Sequence, residues 1–399
     1  MTLAGLSLRI VASRPLAALL NLLLLTLGLG AIGFVMLVSE HLDRAFERDL
    51  SGIDLVVGAK GSPMQLILAG VFQIDVPPGN VPLSEVEALQ KHPMVGQLVP
   101  LSLGDSFRGH RIVGTTPDYL ALLRLEVAEG EAGFAPMQAL LGAGVARSTA
   151  LVPGQRFVGE HGLAGGGHAH GDSPYTVTGI LAPCGCVADR LVLTALESVW
   201  QVHEDATAVD DEDRRLLQAE REVTMALVRY RTPLAAVTLP RLVNATTSMQ
   251  AAAPAVEVTR LARLLGAGTE VLRGVGLVLL LSAGLSVFIA LWNALRERRA
   301  DIAMLRLLGA PPARVAALMV AQALWLAMAA SILGLLAAHG AFALLGSALA
   351  ARQSLPISAW TWVGQEAWIP VLAALVAVLS ALVPAIGAYR LDVARLLHP

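Results

Sequence analysis

Three histidines lie within ten positions of one another in the glycine-rich stretch GEHGLAGGGHAHGDSPY. They are His161, His168 and His170, and Asp172 follows closely. Imidazole is the commonest nitrogen ligand of zinc, and an H-x-H pair on an extended segment can present two rings to one ion. The spacing therefore predicts contact with a metal ion such as zinc. The alternative is a flexible polar insertion that binds no metal.

The two cysteines of the chain, Cys184 and Cys186, form a C-x-C pair in PCGCVADR. They could close a very small disulfide ring, which would be easily reduced. They could instead supply thiolate ligands to the histidine site. We expect the simplest arrangement, which is two free thiols in a turn. So few cysteines exclude a disulfide-dense scaffold.

A basic segment, ALRERRADIAMLRLLGAPPARV, covers residues 294–315 and lies between two very apolar stretches. It carries five arginines. Ile302, Leu305 and Leu308 recur at the spacing of one helix face, and Gly309 ends the pattern. We expect an amphipathic helix at the membrane surface or against a partner. The alternative is a basic anchor that only fixes orientation.

The composition predicts a membrane protein. Of 399 residues, 55% are hydrophobic and 15% are charged, and the mean hydropathy is +0.64. The net charge of −2 gives no indication of nucleic-acid binding. A helix crosses a bilayer with about 20 apolar residues. Four segments qualify, and they are residues 15–38, 274–295, 316–346 and 368–389.

The arginines indicate how these spans are oriented. Arginine is concentrated before the first span, between the second and third, and after the fourth, and such residues favour the cytoplasmic side. We therefore expect residues 1–14, 296–315 and 390–399 in the cytoplasm. Residues 347–367 then form a short external loop. Residues 39–269 form a large external domain, which is periplasmic in a Gram-negative bacterium.

The external domain combines strand-like and helical segments. Runs such as IDLVVGA, YTVTGIL and RLVLTAL are bounded by glycine and proline. Charged helical stretches beside the first and second spans predict a stalk of two chain segments, or alternatively two surface helices. The expected fold class is a membrane α-helical protein with four transmembrane helices and a large α+β periplasmic domain inserted between helices 1 and 2.

No motif of a known catalytic centre is present. The sequence contains no G-x-S-x-G, no H-E-x-x-H and no phosphate-binding G-x-x-x-x-G-K-[ST] pattern. The chain itself is therefore expected to be non-catalytic and not to hydrolyse ATP. Gln322 and His339 are the exceptions in otherwise apolar spans, and we interpret them as packing or boundary groups.

The pattern RERRADIAMLRLLGAPPARV after a span resembles the cytoplasmic signature of MacB/FtsX/LolCE-type permeases of ATP-binding-cassette transporters. The order of one span, a large external domain and three spans is also similar to that family. DLVVGAKGSPMQLILAGVFQID, after the first stalk segment, resembles a subgroup of it. The resemblance covers essentially the full length. The histidine-rich insertion and the C-x-C pair do not match its lipoprotein-releasing or macrolide-exporting members.

The resemblance implies a mechanism. Two permease chains pair, usually as a homodimer or a close heterodimer, and each docks on a cytoplasmic ABC ATPase. No fused ATPase domain precedes the first span, so we expect a separate subunit that binds ATP and Mg²⁺. ATP-driven closure pushes the basic segment, and the stalk carries the motion to the external domain. The residues expected to couple to the ATPase are Glu297, Arg298, Arg299, Asp301, Leu305, Arg306, Leu308 and Gly309.

Three functions remain open at this stage. The first is a permease subunit in the bacterial inner membrane that acts on an envelope substrate, such as a lipoprotein or a metal-linked factor, with a periplasmic binding protein or lipoprotein as a partner. The second is an FtsX-like regulator that activates an external envelope enzyme. The third is a periplasmic metal sensor without transport. The chain needs no cofactor of its own in any of them, apart from zinc at the histidines.

Overall fold

The computed structural model describes residues 3–13, 15–162, 173–207, 210–297, 304, 306, 309–353 and 362–390. The chain divides into two compact units. The helical unit contains residues 1–42, 264–353 and 357–399, and the head contains residues 43–263 and 354–356.

Helices and strands alternate through the head, and long helices stand at both ends of the chain. The helices are α1 (Leu3–Ala12), α2 (Pro15–Asp49), α3 (Pro63–Gly70), α4 (Leu83–Gln90), α5 (Asp118–Leu123), α6 (Ala143–Thr149), α7 (Leu196–Thr207), α8 (Asp211–Ala219), α9 (Ala235–Thr246), α10 (Pro254–Glu297), α11 (Pro312–Gln353) and α12 (Trp368–Tyr389). The strands are β1 (Leu55–Ala59), β2 (Val81–Pro82), β3 (Val95–Phe107), β4 (His110–Thr115), β5 (Val127–Gly130), β6 (Gln138–Leu141), β7 (Arg156–Phe157), β8 (Glu160–His161), β9 (Tyr175–Leu181), β10 (Val192–Ala195), β11 (Glu222–Val223), β12 (Met225–Tyr230) and β13 (Met249–Ala252).

In the helical unit, four of the helices among the described residues are long and apolar enough to cross a membrane. These stretches are Pro15–Asp49, Glu270–Glu297, Pro312–Ser347 and Gly364–Tyr389. Many of their leucines and valines are exposed, which suits helices that face lipid. The four apolar runs of the sequence thus correspond to four helices.

Glycines let the helices of this unit approach closely. A Cβ built on Gly334 of α11 would lie 3.3 Å from the backbone nitrogen of Gly30 in α2. A Cβ on Gly28 would lie 3.1 Å from the backbone nitrogen of Leu280 in α10. Because backbone cannot move aside as a flexible side chain can, the first contact requires a small residue on α11 and the second requires one on α2.

The head is built on a mixed sheet. Its strand order is β13-β1-β12-β3-β4-β10-β6-β9-β5, with β7 paired to β9 and β8 paired to β3, and β11 and β2 form a second small sheet. Most pairs are antiparallel, but β10 runs parallel to β4, and β6 runs parallel to β9. This large α/β domain fits the mixture of strand-like and helical segments in the sequence.

Helices cover both faces of the first half of this sheet. Along β1, Val56 belongs to the hydrophobic cluster that contains α3, whereas Leu55 and Val57 belong to the cluster that contains α4 and α9. Alternate residues of a strand point to opposite faces. All three side chains are fully buried, which explains why β1 is a continuous apolar run rather than an alternating pattern.

Candidate functional site

The basic segment begins at the end of α10. Arg296 and Glu297 are exposed in the last turn of this helix, and the Arg296 guanidinium lies 5.6 Å from the Trp292 ring centroid. Arg306 is half-buried, and its carbonyl accepts a hydrogen bond from the Gly309 nitrogen at 3.1 Å. The other predicted coupling residues, Arg298, Arg299, Asp301, Leu305 and Leu308, lie outside the described residues.

Gly309 forms a turn within the basic segment through its backbone conformation. Its φ is +91°, which is in the left-handed region that glycine adopts without a steric penalty. The helix α11 then begins at Pro312, a position where proline loses no helical hydrogen bond. Gly309 and Pro312 therefore mark the boundary between the first part of the basic segment and α11, as the sequence indicates.

A histidine and a carboxylate meet inside the helical unit. His339 Nε2 lies 3.0 Å from Glu366 Oε1, and the Glu366 side chain is fully buried. Glu366 Oε2 also accepts a hydrogen bond from the Val363 nitrogen at 3.4 Å. The contact joins α11 to the turn before α12. It agrees with the interpretation of His339 as a packing group, and sequence reasoning did not identify its partner.

In the head, His161 lies on β8 beside a buried carboxylate. Its Nδ1 is 3.1 Å from Asp105 Oδ1 on β3, and the two strands pair at these same residues. Burial, together with the Asp105 charge, raises the pKa of the neighbouring Tyr175. An imidazole held by a carboxylate at Nδ1 presents Nε2 outwards, which is the usual arrangement of a histidine that binds a metal.

The remaining predicted metal ligands do not complete a site among the described residues. His168, His170 and Asp172 lie outside them. Over the part of the chain that the structure describes, no group of three or more histidine, cysteine, aspartate or glutamate side chains lies close enough to hold an ion.

The prediction of two free thiols is wrong, because Cys184 and Cys186 are joined in a disulfide. A bonded pair offers no thiolate to a metal, so these residues cannot serve as the predicted ligands while the bond is intact. The turn that allows the bond is fixed by Asp189, whose carboxylate accepts hydrogen bonds from the Cys184 nitrogen at 3.0 Å and the Gly185 nitrogen at 2.8 Å.

A buried arginine organises the segment that follows β1. Arg111 of β4 is 4% exposed. It donates to the carbonyl of Ala69 at 3.3 Å, to Gln73 Oε1 at 3.1 Å and to the carbonyl of Asp75 at 2.8 Å. Burial lowers the pKa of its guanidinium to about 10, which the nearby Asp75 charge opposes. Arg111 therefore fixes the fold of QLILAGVFQID from within.

Two family models together match most of the chain. Residues 18–259 match the MacB-like periplasmic core domain, which alone covers more than half of the sequence. Residues 273–393 match the FtsX-like permease C-terminal domain. The chain belongs to the FtsX/MacB-like permeases of ABC transporters. The two matches confirm the family resemblance that the sequence indicated. Members of this family are membrane components of transport systems.

Two solved structures are similar to the head of this FtsX/MacB-like permease. One is the periplasmic region of MacB from Actinobacillus actinomycetemcomitans, with 10% identity and a TM-score of 0.35 over 53% of this chain and 95% of that one. The other is the extracellular domain of the noncanonic ABC-type transporter YknZ from Gram-positive bacteria, with 12% identity and a TM-score of 0.30 over 50% and 98%. A comparison with curated proteins finds no match.

Several residues that shape this permease were not identified from its sequence. Asp105, Asp189 and Glu366 are buried carboxylates. Asp105 and Glu366 each contact an imidazole, and Asp189 accepts from backbone amides. Asp189 lies within five residues of its partners Cys184 and Gly185, so the PCGCVADR stretch itself contains the residues that form this turn. Asp105 and His161 are 56 positions apart, and no local pattern links them.

Proposed function

We propose that this chain is the permease subunit of an ABC transporter that transmits ATP-driven motion to an external domain. A separate cytoplasmic ATPase binds the segment 296–315. The head, inserted between the first and second spans, acts on a substrate in the cell envelope. The membrane is the bacterial inner membrane, with both termini in the cytoplasm, and two copies of the permease pair.

The continuity of α10 is the observation that carries this proposal. This helix has 44 residues, which corresponds to a length of about 66 Å. The hydrocarbon core of a bilayer is only about 30 Å thick, so α10 continues well beyond it. It starts two residues after β13 of the head and ends at Glu297, in the basic segment. In the chain, the segment that we propose binds the ATPase therefore follows the head with one helix and no loop between them.

Capture of the ATPase tests this coupling. The tagged full-length chain, purified from its native membranes in detergent, should retain a cytoplasmic subunit with ATPase activity. Arg299→Ala combined with Asp301→Ala should lose that subunit, whereas Arg156→Ala, at an exposed position in the head, should retain it. Capture that is unaffected by the double substitution would refute the role of the segment.

Labelling from outside the cell tests the orientation. In a background of Cys184→Ser and Cys186→Ser, single cysteines are introduced into the head and into the basic segment. A membrane-impermeant maleimide should react only with those in the head. Reaction at the basic segment in intact cells, or its absence at exposed positions of the head, would contradict the proposed topology.

We also propose that the histidines of the head bind a metal ion such as zinc. The pair of His161 and Asp105 supports this, because the carboxylate orients the ring and increases its basicity as a ligand. The segment with His168 and His170 follows directly in the sequence. Such a site would associate the transporter with a metal or a metal-linked substrate.

Zinc titration of the full-length chain in detergent tests the metal site. We expect binding that is lost when His161, His168 and His170 are all replaced by alanine. Asp105→Asn should weaken it by about 10- to 100-fold, while His92→Ala, away from the loop, should leave it unchanged. Equal affinity in the triple variant would refute the site without affecting the proposal for ATPase coupling.

A further inference from the structure

The Cys184–Cys186 disulfide lies in a partly exposed turn of the head. Both cysteines are half-buried, and Gly185 between them is exposed. Gly185 has a φ of +63°, and a Cβ at this position would lie 2.6 Å from Arg48 Nη1. The turn therefore requires glycine, and the Arg48 guanidinium lies beside its tip.

The loop is held in place without help from the disulfide. The amide nitrogens of Cys184 and Gly185 bind the Asp189 carboxylate. The amide of Val187, two residues after Gly185, donates to Asp49 Oδ1 at 2.8 Å. In addition, a ring that encloses a single residue restricts the unfolded chain much less than a long loop does. The bond can therefore open and close in the folded protein.

The two sulfur atoms have different surroundings. Cys184 Sγ lies 3.5 Å from Asp189 Oδ1, whereas the structure gives Cys186 no such carboxylate contact among its described residues. The Asp189 charge repels a thiolate that approaches Cys184, which favours attack at Cys186, although the same charge slows the departure of the Cys184 sulfur. Cys184 is then the leaving group, and the amide of Cys186, 3.2 Å from its sulfur, stabilises the charge that develops there.

We propose that Cys184 and Cys186 form a thiol–disulfide exchange site that reacts with a dithiol of the cell envelope. One thiolate of the dithiol attacks Cys186 Sγ, the S–S bond breaks, and its electron pair moves to Cys184 Sγ, which takes up a proton. The second thiolate attacks the sulfur of its own molecule in the mixed disulfide and releases Cys186, which is also protonated.

The exchange is balanced in electrons and protons. The dithiol is oxidised to a disulfide and gives up two electrons and two protons, and the cysteine pair accepts the same number. The protonated Cys184 can then donate its S–H to Asp189 Oδ1. The inference rests on the proposed function in one respect: the external location of the head keeps the pair oxidised between reactions, as is usual outside the cytoplasm.

Thiol counting on the purified full-length chain tests the site. The chain has no other cysteine, so every maleimide adduct reports on this pair. Protein prepared without reductant should carry no free thiol. Dithiothreitol under native conditions should then expose two thiols together, while the head stays as resistant to protease as before. A bond that opens only after urea unfolds the head, or two free thiols at the start, would refute the proposal.

Single substitutions test the direction of attack. Cys184→Ser leaves Cys186, which should form a mixed disulfide with glutathione disulfide several-fold faster than Cys184 does in Cys186→Ser. Asp189→Asn should accelerate reduction of the native bond several-fold, because it removes the charge beside the leaving sulfur. Equal rates in the two cysteine variants would refute the assigned order, and this comparison stands even if Asp189→Asn destabilises the head.

These results are separable from the test of the proposed function. Exchange is measured on the permease alone, without ATPase or nucleotide. Loss of exchange with normal ATPase capture and outward labelling would refute only the exchange site. Labelling of the head from the cytoplasmic side would refute the proposed function, whatever the rate of exchange.

Discussion

Replacing Arg111 with methionine removes a buried guanidinium from the head and keeps a side chain of similar length. Three acceptors lose their donor: the carbonyls of Ala69 and Asp75, and Gln73 Oε1. A buried polar group left without a partner costs about 1–3 kcal/mol. Gln73 is buried and has a φ of +56°, a backbone conformation that is unfavourable for a residue other than glycine. The turn at Gln73 therefore depends on its hydrogen bond from Arg111.

Two effects reduce the loss. Asp75 is partly exposed, and water can replace the arginine at its carbonyl. Removal of the guanidinium also relieves its own desolvation, which is the cause of its lowered pKa. We therefore expect Arg111→Met to decrease the free energy of unfolding of the head by about 2–4 kcal/mol. Arg111→Lys should cost about half as much, because its ammonium keeps some of the hydrogen bonds but cannot reach acceptors in two directions as the guanidinium does.

This loss is measured by pulse proteolysis of the full-length chain in detergent over a series of urea concentrations. Fragments cut within the head report the fraction of unfolded head at each concentration. The matched control is Arg156→Met, an exposed arginine in the same unit, which should change the free energy by less than about 0.5 kcal/mol. If Arg111→Met unfolds at the same urea concentration as the wild type, Arg111 does not organise the segment after β1.

Three further predictions concern packing and protonation. Gly334→Ala should lower the thermal midpoint of the chain in detergent, since its Cβ would meet α2 at 3.1 Å, whereas Gly340→Ala, with open space on the same helix, should maintain or raise it. Burial lowers the pKa of His110, so the unfolded chain binds a proton that the native head excludes. The free energy of unfolding should therefore fall as the pH decreases below about 6.5. Pulse proteolysis at several pH values should show that this free energy depends less on pH in His110→Gln. Glu366→Ala should reduce the thermal midpoint more than Glu366→Gln, because glutamine retains a polar partner for the buried histidine.

The sequence was most informative where one physical requirement dominates. A bilayer requires about 20 apolar residues per helix, and the four apolar runs accordingly predict four helices. The ends of those helices are less predictable. The first runs on to Asp49 and the second begins at Pro254, because charged residues at helical spacing continue both helices beyond their apolar parts.

The topology of the head could not be predicted from local pattern. β4 pairs with β10, and β6 with β9, both in parallel, and residues far apart in the sequence decide these contacts. The cysteine pair shows a second limit. A C-x-C spacing is compatible with free thiols, metal ligands or a disulfide, and the Asp189 carboxylate and the left-handed Gly185 favour the disulfide.

Hydrogen exchange of the head in the presence and absence of nucleotide tests the central claim most directly. The full-length chain, purified with its ATPase, is compared without nucleotide and with a non-hydrolysable ATP analogue. Transmission of motion predicts that the exchange of backbone amides changes in β13, in the head portion of α10 and around Asp49. The same changes should be absent when Arg299 and Asp301 are replaced by alanine. Exchange in the head that does not respond to nucleotide while the ATPase remains bound would contradict the account.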